Sequence, residues 1–282
     1  MGIRINRRLL AGALVAALVA VAIGAAGGQA ASTLPTLSIA INPSSATVSG
    51  VPPAGAVNVV TTDTGVKEAT VILFRLNPGK TVADAEQFIK EKRAKNDPNN
   101  TVEIGSIVFD TEANPGANSE AQTSLQPGQY IVLVGAGEHG EPALRSSFTV
   151  AAGAASTPLP TPQATVKTIE FGFKGPKTLH DGELVRFENE GFVVHMDFAF
   201  PVKNMKAAKT AVKDLLAGKE KALGKLIAGP PVAFYGPISH GAFMQETITA
   251  KPGIYVQVCF METQDKRDHA RLGMERIIKI TK

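Results

Sequence analysis

Cysteine and aromatic residues are scarce in this sequence. Among 282 residues there is one cysteine, Cys259, there is no tryptophan, and aromatic residues make up only 6% of the chain. A single cysteine excludes a disulfide within the chain, so its thiol must be buried, bonded to another chain or held by a metal. Glycine and proline are plentiful, at 27 and 18 residues. This composition favours β-rich domains with many turns over a helical bundle.

The first 30 residues (1–30) have the layout of a secretory signal peptide. Three arginines precede an apolar run from Leu9 to about Ala26, and small residues lead to a predicted cleavage site after Ala30. The alternative is an uncleaved N-terminal anchor, because the apolar run is just long enough to span a bilayer. We therefore expect a secreted or cell-envelope protein, which contacts a membrane only if this segment is not cleaved.

The basic charge of the chain lies largely in this leader. The formal net charge is +4, and the leader contributes three of those charges through its arginines and no acidic residue. The mature chain is then nearly neutral, so the sequence predicts no nucleic-acid partner.

A linker rich in alanine and proline, residues 151–164, divides the remaining chain into two segments, 31–150 and 165–282. Both segments show a strand, a helix, a strand, a Pro-Gly-x-Tyr strand and a final strand in the same order. The two Pro-Gly-x-Tyr runs are Pro127–Tyr130 and Pro252–Tyr255. Short strands bounded by turn signals predict an all-β fold with helical insertions, arranged as two tandem β-sandwiches that arose by internal duplication.

The second segment carries a set of soft and borderline metal ligands. Cys259 ends a strand-like run, His269 follows a polar loop, and Met274 opens the last strand. Thiolate, imidazole and thioether are the side chains that copper prefers. A further histidine, His195, lies at the start of another predicted strand.

The surroundings of these ligands resemble the plastocyanin/azurin family of small blue-copper proteins, the cupredoxins. The resemblance rests on Val185-x-Phe187-x-Asn189 before a Gly-Phe turn and His195, on the Pro-Gly-x-Tyr-x-x-x-Cys run, and on the His-x4-Met pair; it covers about Val166–Lys282. It implies a Greek-key β-sandwich that binds one copper ion through His195, Cys259, His269 and an axial Met274.

The sequence departs from this family at two places. The family usually has two to four residues between the cysteine and the second histidine, whereas nine lie between Cys259 and His269. Met196 also follows the first histidine, where plastocyanins often have asparagine. The longer loop predicts a looser site that admits water or lengthens a metal bond.

The first segment reads as a degenerate copy without metal ligands. Alignment of the Pro-Gly-x-Tyr runs places Val134 at the position of Cys259, and alignment of the helices places Ile72 near His195. The last strands place Glu141 and Ser146 near His269 and Met274. We therefore expect this segment to be a structural or docking module, and we expect its one histidine, His139, to be solvated.

Three functions remain open from the sequence. The first is an electron carrier with one copper, and the second is a copper storage or delivery protein, in which the long loop favours exchange. The third is a metal-free envelope or adhesion module, in which Cys259 is a small buried hydrophobic residue and the other ligands are core residues. The basic segment Lys203–Lys225 is either a solvated helix face or a docking site for an acidic redox partner.

The sequence also predicts that the chain is not an enzyme. It has no glycine-rich phosphate loop, no Ser-His-Asp set and no carboxylate pair. None of its five histidines forms a His-x-His pair, the pattern typical of the oxygen-reducing centre of a multicopper oxidase.

Overall fold

The structure, a computed structural model, describes residues 34–91, 97–113, 115–116, 118–136, 142–153 and 157–282. The predicted signal peptide, its cleavage site and His139 lie outside these residues. Among the residues described, no helix is both long and apolar enough to cross a membrane.

The first half of the chain is built mainly from strands. Its helices are α1 (Val82–Lys90) and a first 3-10 helix (Pro98–Glu103). The strands are β1 (Thr36–Ile41), β2 (Ala46–Ser49), β3 (Gly55–Asp63), β4 (Ala69–Leu76), β5 (Gly105–Ala113), β6 (Asn118–Leu125), β7 (Gly128–Gly135) and β8 (Ala143–Val150).

The second half repeats this plan with a longer helix. Its helices are α2 (Met205–Leu216), the short α3 (Glu220–Leu223) and a second 3-10 helix (His269–Leu272). The strands are β9 (Ala164–Ile169), β10 (Gly172–Lys174), β11 (Thr178–His180), β12 (Leu184–Asn189), β13 (His195–Val202), β14 (Val232–Ile238), β15 (Phe243–Thr247), β16 (Gly253–Val258) and β17 (Glu275–Thr281).

The strands form two sandwiches that share one continuous sheet. In the first half, β2-β1-β3-β6 faces the four-stranded sheet β5-β4-β7-β8. In the second half, β10-β9-β12-β15 faces the five-stranded sheet β11-β17-β16-β13-β14. The inward side chains of all these strands form one buried apolar cluster. The fold is all-β with helical insertions, two tandem Greek-key cupredoxin-like β-sandwiches, as the sequence predicts.

Polar side chains fix where both long helices begin. Thr81 and Asp84 form a capping box at the start of α1, in which each side chain accepts a hydrogen bond from the backbone N–H of the other. Asn204 caps α2 by accepting from the N–H of Ala207 at 3.0 Å. Ala208, Ala211 and Leu215 of α2 are buried against the sandwich.

The two halves are joined at the edges of their sheets. Strands β6 and β15 pair antiparallel at Gln122 and Gln245, and the amide of Gln245 also donates to the side-chain oxygen of Gln122 at 3.0 Å. Strand β8 ends at Val150 and β9 begins at Ala164. The boundaries of the predicted domains and linker stay predictions.

Strand register corrects one detail of the comparison between the halves. Ile72 of β4 lies opposite Leu133 of β7, whereas Phe198 of β13 lies opposite Val258 of β16. Because Leu133 and Val258 occupy matching places after the Pro-Gly-x-Tyr turns, Ile72 corresponds to Phe198. The position of His195 is taken by Ala69, another residue that cannot bind a metal, so the placement of Ile72 near His195 is wrong.

Candidate metal centre

Four segment ends meet at one end of the second sandwich. His195 is the first residue of β13, and Cys259 follows the last residue of β16. His269 opens the second 3-10 helix, and Met274 directly precedes β17. Strand β16 pairs with both β13 and β17, so the sheet itself brings these ends together.

Three ligand atoms converge in the buried interior. The Cys259 Sγ lies 3.5 Å from His269 Nδ1 and 3.8 Å from His195 Nδ1, and the two Nδ1 atoms lie 3.1 Å apart. All three side chains are fully buried. For metal bonds of about 2.0 Å to nitrogen and about 2.3 Å to sulfur, bond angles near 110° give ligand separations of about 3.3 Å and 3.5 Å. The three atoms are therefore spaced as they would be around one metal ion.

The donor set fits copper. Two imidazole nitrogens and one thiolate with a methionine nearby are the ligands of blue-copper sites. Within the residues described, His195, Cys259 and His269 are the one group of three or more such side chains whose ligand atoms lie within 4.8 Å of one another. The site accommodates one ion.

Backbone hydrogen bonds hold Met274 beside Cys259 and His269. Its carbonyl accepts from the N–H of Cys259 at 3.2 Å, and its own N–H donates to the carbonyl of His269 at 3.0 Å. Gly273 adopts φ = 101°, a left-handed conformation that ends the 3-10 helix and that glycine tolerates without strain. The Met274 side chain is fully buried.

The long loop between Cys259 and His269 closes on itself. The N–H of His269 donates to the carbonyl of Met261 at 2.8 Å, and Glu262 pairs antiparallel with Asp268. At the tip, the N–H of Thr263 donates to the carbonyl of Arg267 at 2.9 Å. The loop itself is not loose, because the extra residues form a separate turn that leaves Met261 and His269 as neighbours. The admission of water and the longer metal bond stay predictions.

Asn189 fixes the turn that leads to His195. Its side-chain amide donates to the carbonyls of Val193 at 2.9 Å and Ile238 at 2.8 Å, and its oxygen accepts from the N–H of Gly191 at 2.9 Å. A Cβ atom on Gly191 would lie 2.6 Å from His195 Nε2, so only glycine fits there. Asn189 belongs to the sequence motif, but its role in holding the turn emerges only from its partners in space.

Burial sets the protonation of the ligands. It lowers the pKa of His195 to about 3, with a further contribution from the neighbouring His269, and it lowers the pKa of His269 to about 4. Burial also raises the pKa of the Cys259 thiol to about 12. Without a metal, both imidazoles are thus neutral and the thiol is protonated at neutral pH. The Met196 N–H, 3.4 Å from Cys259 Sγ, is placed to donate to a thiolate.

Neither imidazole has a protein partner for its second nitrogen. The Nε2 atoms of His195 and His269 are buried and make no hydrogen bond. The ring of Phe171 lies edge-on to His269, with 5.1 Å between ring centroids. The nitrogens that face Cys259 Sγ are the Nδ1 atoms, which are therefore the ones available to bind a metal.

The first half also contributes residues to this centre, which the sequence gave no sign of. Asn99 accepts a hydrogen bond from the backbone N–H of Val194 at 2.7 Å, next to His195. The carboxylate of Asp97 acts on the charge of His269, opposing the effect of burial on its pKa. Both residues belong to an Asn- and Pro-containing loop that shows no metal-site pattern.

Two other histidines in the described part of the chain lie at the surface. His240 is exposed, stacks on Phe192 and lies with Nδ1 2.9 Å from the carbonyl oxygen of Gly191. His180 is exposed and contacts the side chain of Thr281. Neither joins the three-ligand group.

Known structures of copper proteins are similar to this chain. Reduced auracyanin from Roseiflexus castenholzii is 15% identical, with 42% of this chain and 95% of that chain covered and a TM-score of 0.26. The copper-containing nitrite reductase of Thermus scotoductus is 14% identical, with 88% and 68% covered and a TM-score of 0.25. The multicopper oxidase McoA of Aquifex aeolicus is 10% identical, with 88% and 66% covered and a TM-score of 0.27. No protein-family model matches the sequence, and no curated protein matches it.

Two predictions from the sequence have different outcomes. The cupredoxin resemblance of the C-terminal half is confirmed by its two facing sheets and its buried His-Cys-His group. The prediction that the chain is not an enzyme is contradicted, because the matches that span 88% of the chain are to a nitrite reductase and a multicopper oxidase. The prediction failed because one fold can serve both electron carriers and enzymes. The absence of familiar enzyme motifs from the sequence therefore did not distinguish the two classes.

Proposed function

We propose that this chain is an exported copper protein that carries single electrons. His195, Cys259 and His269 would bind one copper ion as equatorial ligands, and Met274 would be the weak axial ligand. Bound in such a set, copper supplies a reversible one-electron step. The chain itself supplies three fully buried ligand side chains for that step.

The observation that carries this proposal is the arrangement of the three buried ligand atoms. Their separations of 3.1, 3.5 and 3.8 Å match the spacing around one metal ion. Ligands that are held in place suit rapid electron exchange, because little structure has to change between two charge states. The closed loop and the Asn189 hydrogen bonds support the same conclusion.

Export is supported by the N-terminal sequence. Three arginines, an apolar run and small residues before Ala30 form the pattern of a cleaved leader. A metal-bound, fully buried thiol is also compatible with an oxidising compartment, where an exposed single cysteine would form bonds between chains.

The lysine-rich helix α2 supports an acidic redox partner. Lys206, Lys209 and Lys213 are exposed on α2. The end of this helix meets the segment that carries His269, since a Cβ atom on Gly218 would lie 3.0 Å from the Arg271 side chain. A basic surface beside a ligand-bearing segment would steer an acidic protein towards the copper.

Copper titration of the purified metal-free protein tests the proposal. We expect Cu(II) to give an intense visible thiolate-to-copper band at one equivalent, and we expect Cys259→Ser to abolish that band. Stoichiometric binding without the band would instead indicate copper storage or delivery. Absence of binding would leave the metal-free envelope or adhesion module.

A further inference from the structure

The first half of the chain contacts the metal centre on the side of His195. Asn99, in the first 3-10 helix, accepts from the N–H of Val194 at 2.7 Å, across 95 positions of sequence. Val194 is buried and directly precedes His195. The backbone that leads into the first ligand is therefore held by a residue from the half that has no ligands.

A second contact holds the strand that pairs with His195. His195 lies opposite Ile238 in β14. The next residue, Ser239, donates its N–H to the carbonyl of Ile107 at 2.9 Å, and its hydroxyl accepts from the N–H of Ile107 at 2.9 Å. Both backbone segments beside His195 are thus fastened to the first half.

The contacting segment is itself rigidly built. The carboxylate of Asp97 accepts from the backbone N–H of Asn99 at 2.9 Å and from its side-chain amide at 2.8 Å. These bonds orient the Asn99 side chain so that its amide oxygen faces the backbone N–H of Val194. Asp97 and Pro98 are buried, and Asp97 lies near enough to His269 to influence its charge.

We infer that the segment Asp97–Asn99 of the first half is a positioning element that seals the copper site and holds His195 in place. Its presence explains why both imidazoles are fully buried although His195 lies at the end of a sandwich. The inference rests on the proposed copper function, but its contacts involve no metal and can be tested in the metal-free protein. The half without ligands is then part of the site rather than a spacer or docking module.

The single cysteine reports on this seal in the metal-free, full-length protein. A thiol reagent reaches buried Cys259 only when the site opens, so the labelling rate measures the opening equilibrium. We expect Asn99→Ala to speed labelling by about two- to tenfold, the change that one lost hydrogen bond produces in an equilibrium constant. Ser239→Ala, which removes the hydroxyl that accepts from the Ile107 N–H, should also speed labelling.

Two control variants separate sealing from general loss of stability. Asn42→Ala removes an asparagine that bonds only within its own turn, to Ser44 and Ser45 in the first half, and should label at the wild-type rate. Asn77→Ala, which removes the exposed hydrogen bond from Asn77 to the carbonyl of Val102, should also label at the wild-type rate. The inference is overturned if Asn99→Ala labels no faster than either control.

Added azide gives a second readout once copper is bound. We expect azide to change the visible spectrum of Asn99→Ala at a lower concentration than that of the wild type, because the opened site admits an external ligand. Equal azide sensitivity would overturn the sealing role. If the copper proposal is wrong, no visible band will appear with Cu(II), whereas the labelling rates of the metal-free protein will be the same.

Discussion

The backbone N–H of His269 donates to the carbonyl of Met261 across 2.8 Å. This bond, with the pairing of Glu262 and Asp268, closes the residues beyond Met261 into a turn of their own. The path from Cys259 to His269 is thereby reduced to the two intervening residues Phe260 and Met261. A loop that is long in sequence is short in space.

Shortening the tip of this turn should therefore leave the metal site intact. Replacing residues 263–267 with Asn-Gly, which favours a two-residue hairpin turn, keeps the Glu262–Asp268 pairing. We expect the copper band of this variant to retain its position and intensity, as measured by titration with Cu(II). Loss of the band would show that the tip belongs to the site.

Matched insertions sharpen the same prediction. Two glycines inserted after Asp265 extend the exposed tip, whereas two glycines inserted after Phe260 lengthen the closed path between the ligands. We expect the first insertion to preserve copper binding and the second to weaken it. Equal effects of the two insertions on copper binding would contradict the closure of the loop at Met261.

Removal of the Asn189 side chain should destabilise the protein markedly. Asn189→Ala leaves the carbonyls of Val193 and Ile238 without their donor in the interior. Because a buried unsatisfied polar group is costly, we expect the free energy of unfolding to fall by about 1–3 kcal/mol. Urea denaturation of the metal-free protein measures this change.

The control for this variant is Asn77→Ala. Asn77 donates to the carbonyl of Val102 in an exposed hydrogen bond, so we expect a change within about 0.5 kcal/mol. A similar fall in the free energy of unfolding for both variants would mean that the hydrogen bonds of Asn189 stabilise the protein no more than an exposed one does.

Copper affinity should rise with pH by the release of a single proton. Burial lowers the pKa of His195 to about 3 and that of His269 to about 4, so above pH 5 both imidazoles are already neutral. Burial raises the pKa of Cys259 to about 12, so the thiol must lose its proton when copper binds. The apparent binding constant should then increase about tenfold per pH unit between pH 5 and 8.

Calorimetry in buffers of different ionisation enthalpy counts these protons. The expected value is about one proton released per copper over this range. A count of two or three at pH 5 would mean that the histidines are protonated in the metal-free protein, against the effect of their burial. Cys259→Ser provides the control in which the thiol proton is absent.

Charge reversal on α2 should slow electron exchange with an anionic oxidant. In the triple variant Lys206→Glu, Lys209→Glu and Lys213→Glu, the exposed basic surface becomes acidic. We expect oxidation of the reduced protein by hexacyanoferrate to slow about tenfold at low ionic strength, because electrostatic steering is lost. The difference should shrink as salt is added.

A second triple variant tests whether the position of the charge matters. Lys67→Glu, Lys80→Glu and Lys90→Glu make the same change of net charge at exposed sites in the first half. Stopped-flow rates of the two triple variants should differ, with α2 giving the larger effect. Equal rates would mean that only net charge, and not the surface of α2, governs the exchange.

Much of the fold follows from local sequence signals. Residues Thr81 and Asp84 specify the start of α1, because their side chains satisfy each other's backbone N–H groups within one turn of helix. The strands follow from β-branched and aromatic runs between turns. The error over Ile72 arose because strand pairing, rather than helix alignment, sets which residues of the two halves correspond.

The sequence by itself determined the donor types and their order, His195, Cys259, His269 and Met274, because metal preference depends on side-chain chemistry that any sequence displays. Only the tertiary structure decided that the loop closes at Met261. A backbone hydrogen bond requires no particular side chain, so it leaves no pattern in the sequence. Only the tertiary structure brought Asn99 to Val194, because a contact across 95 positions depends on how two sandwiches pack.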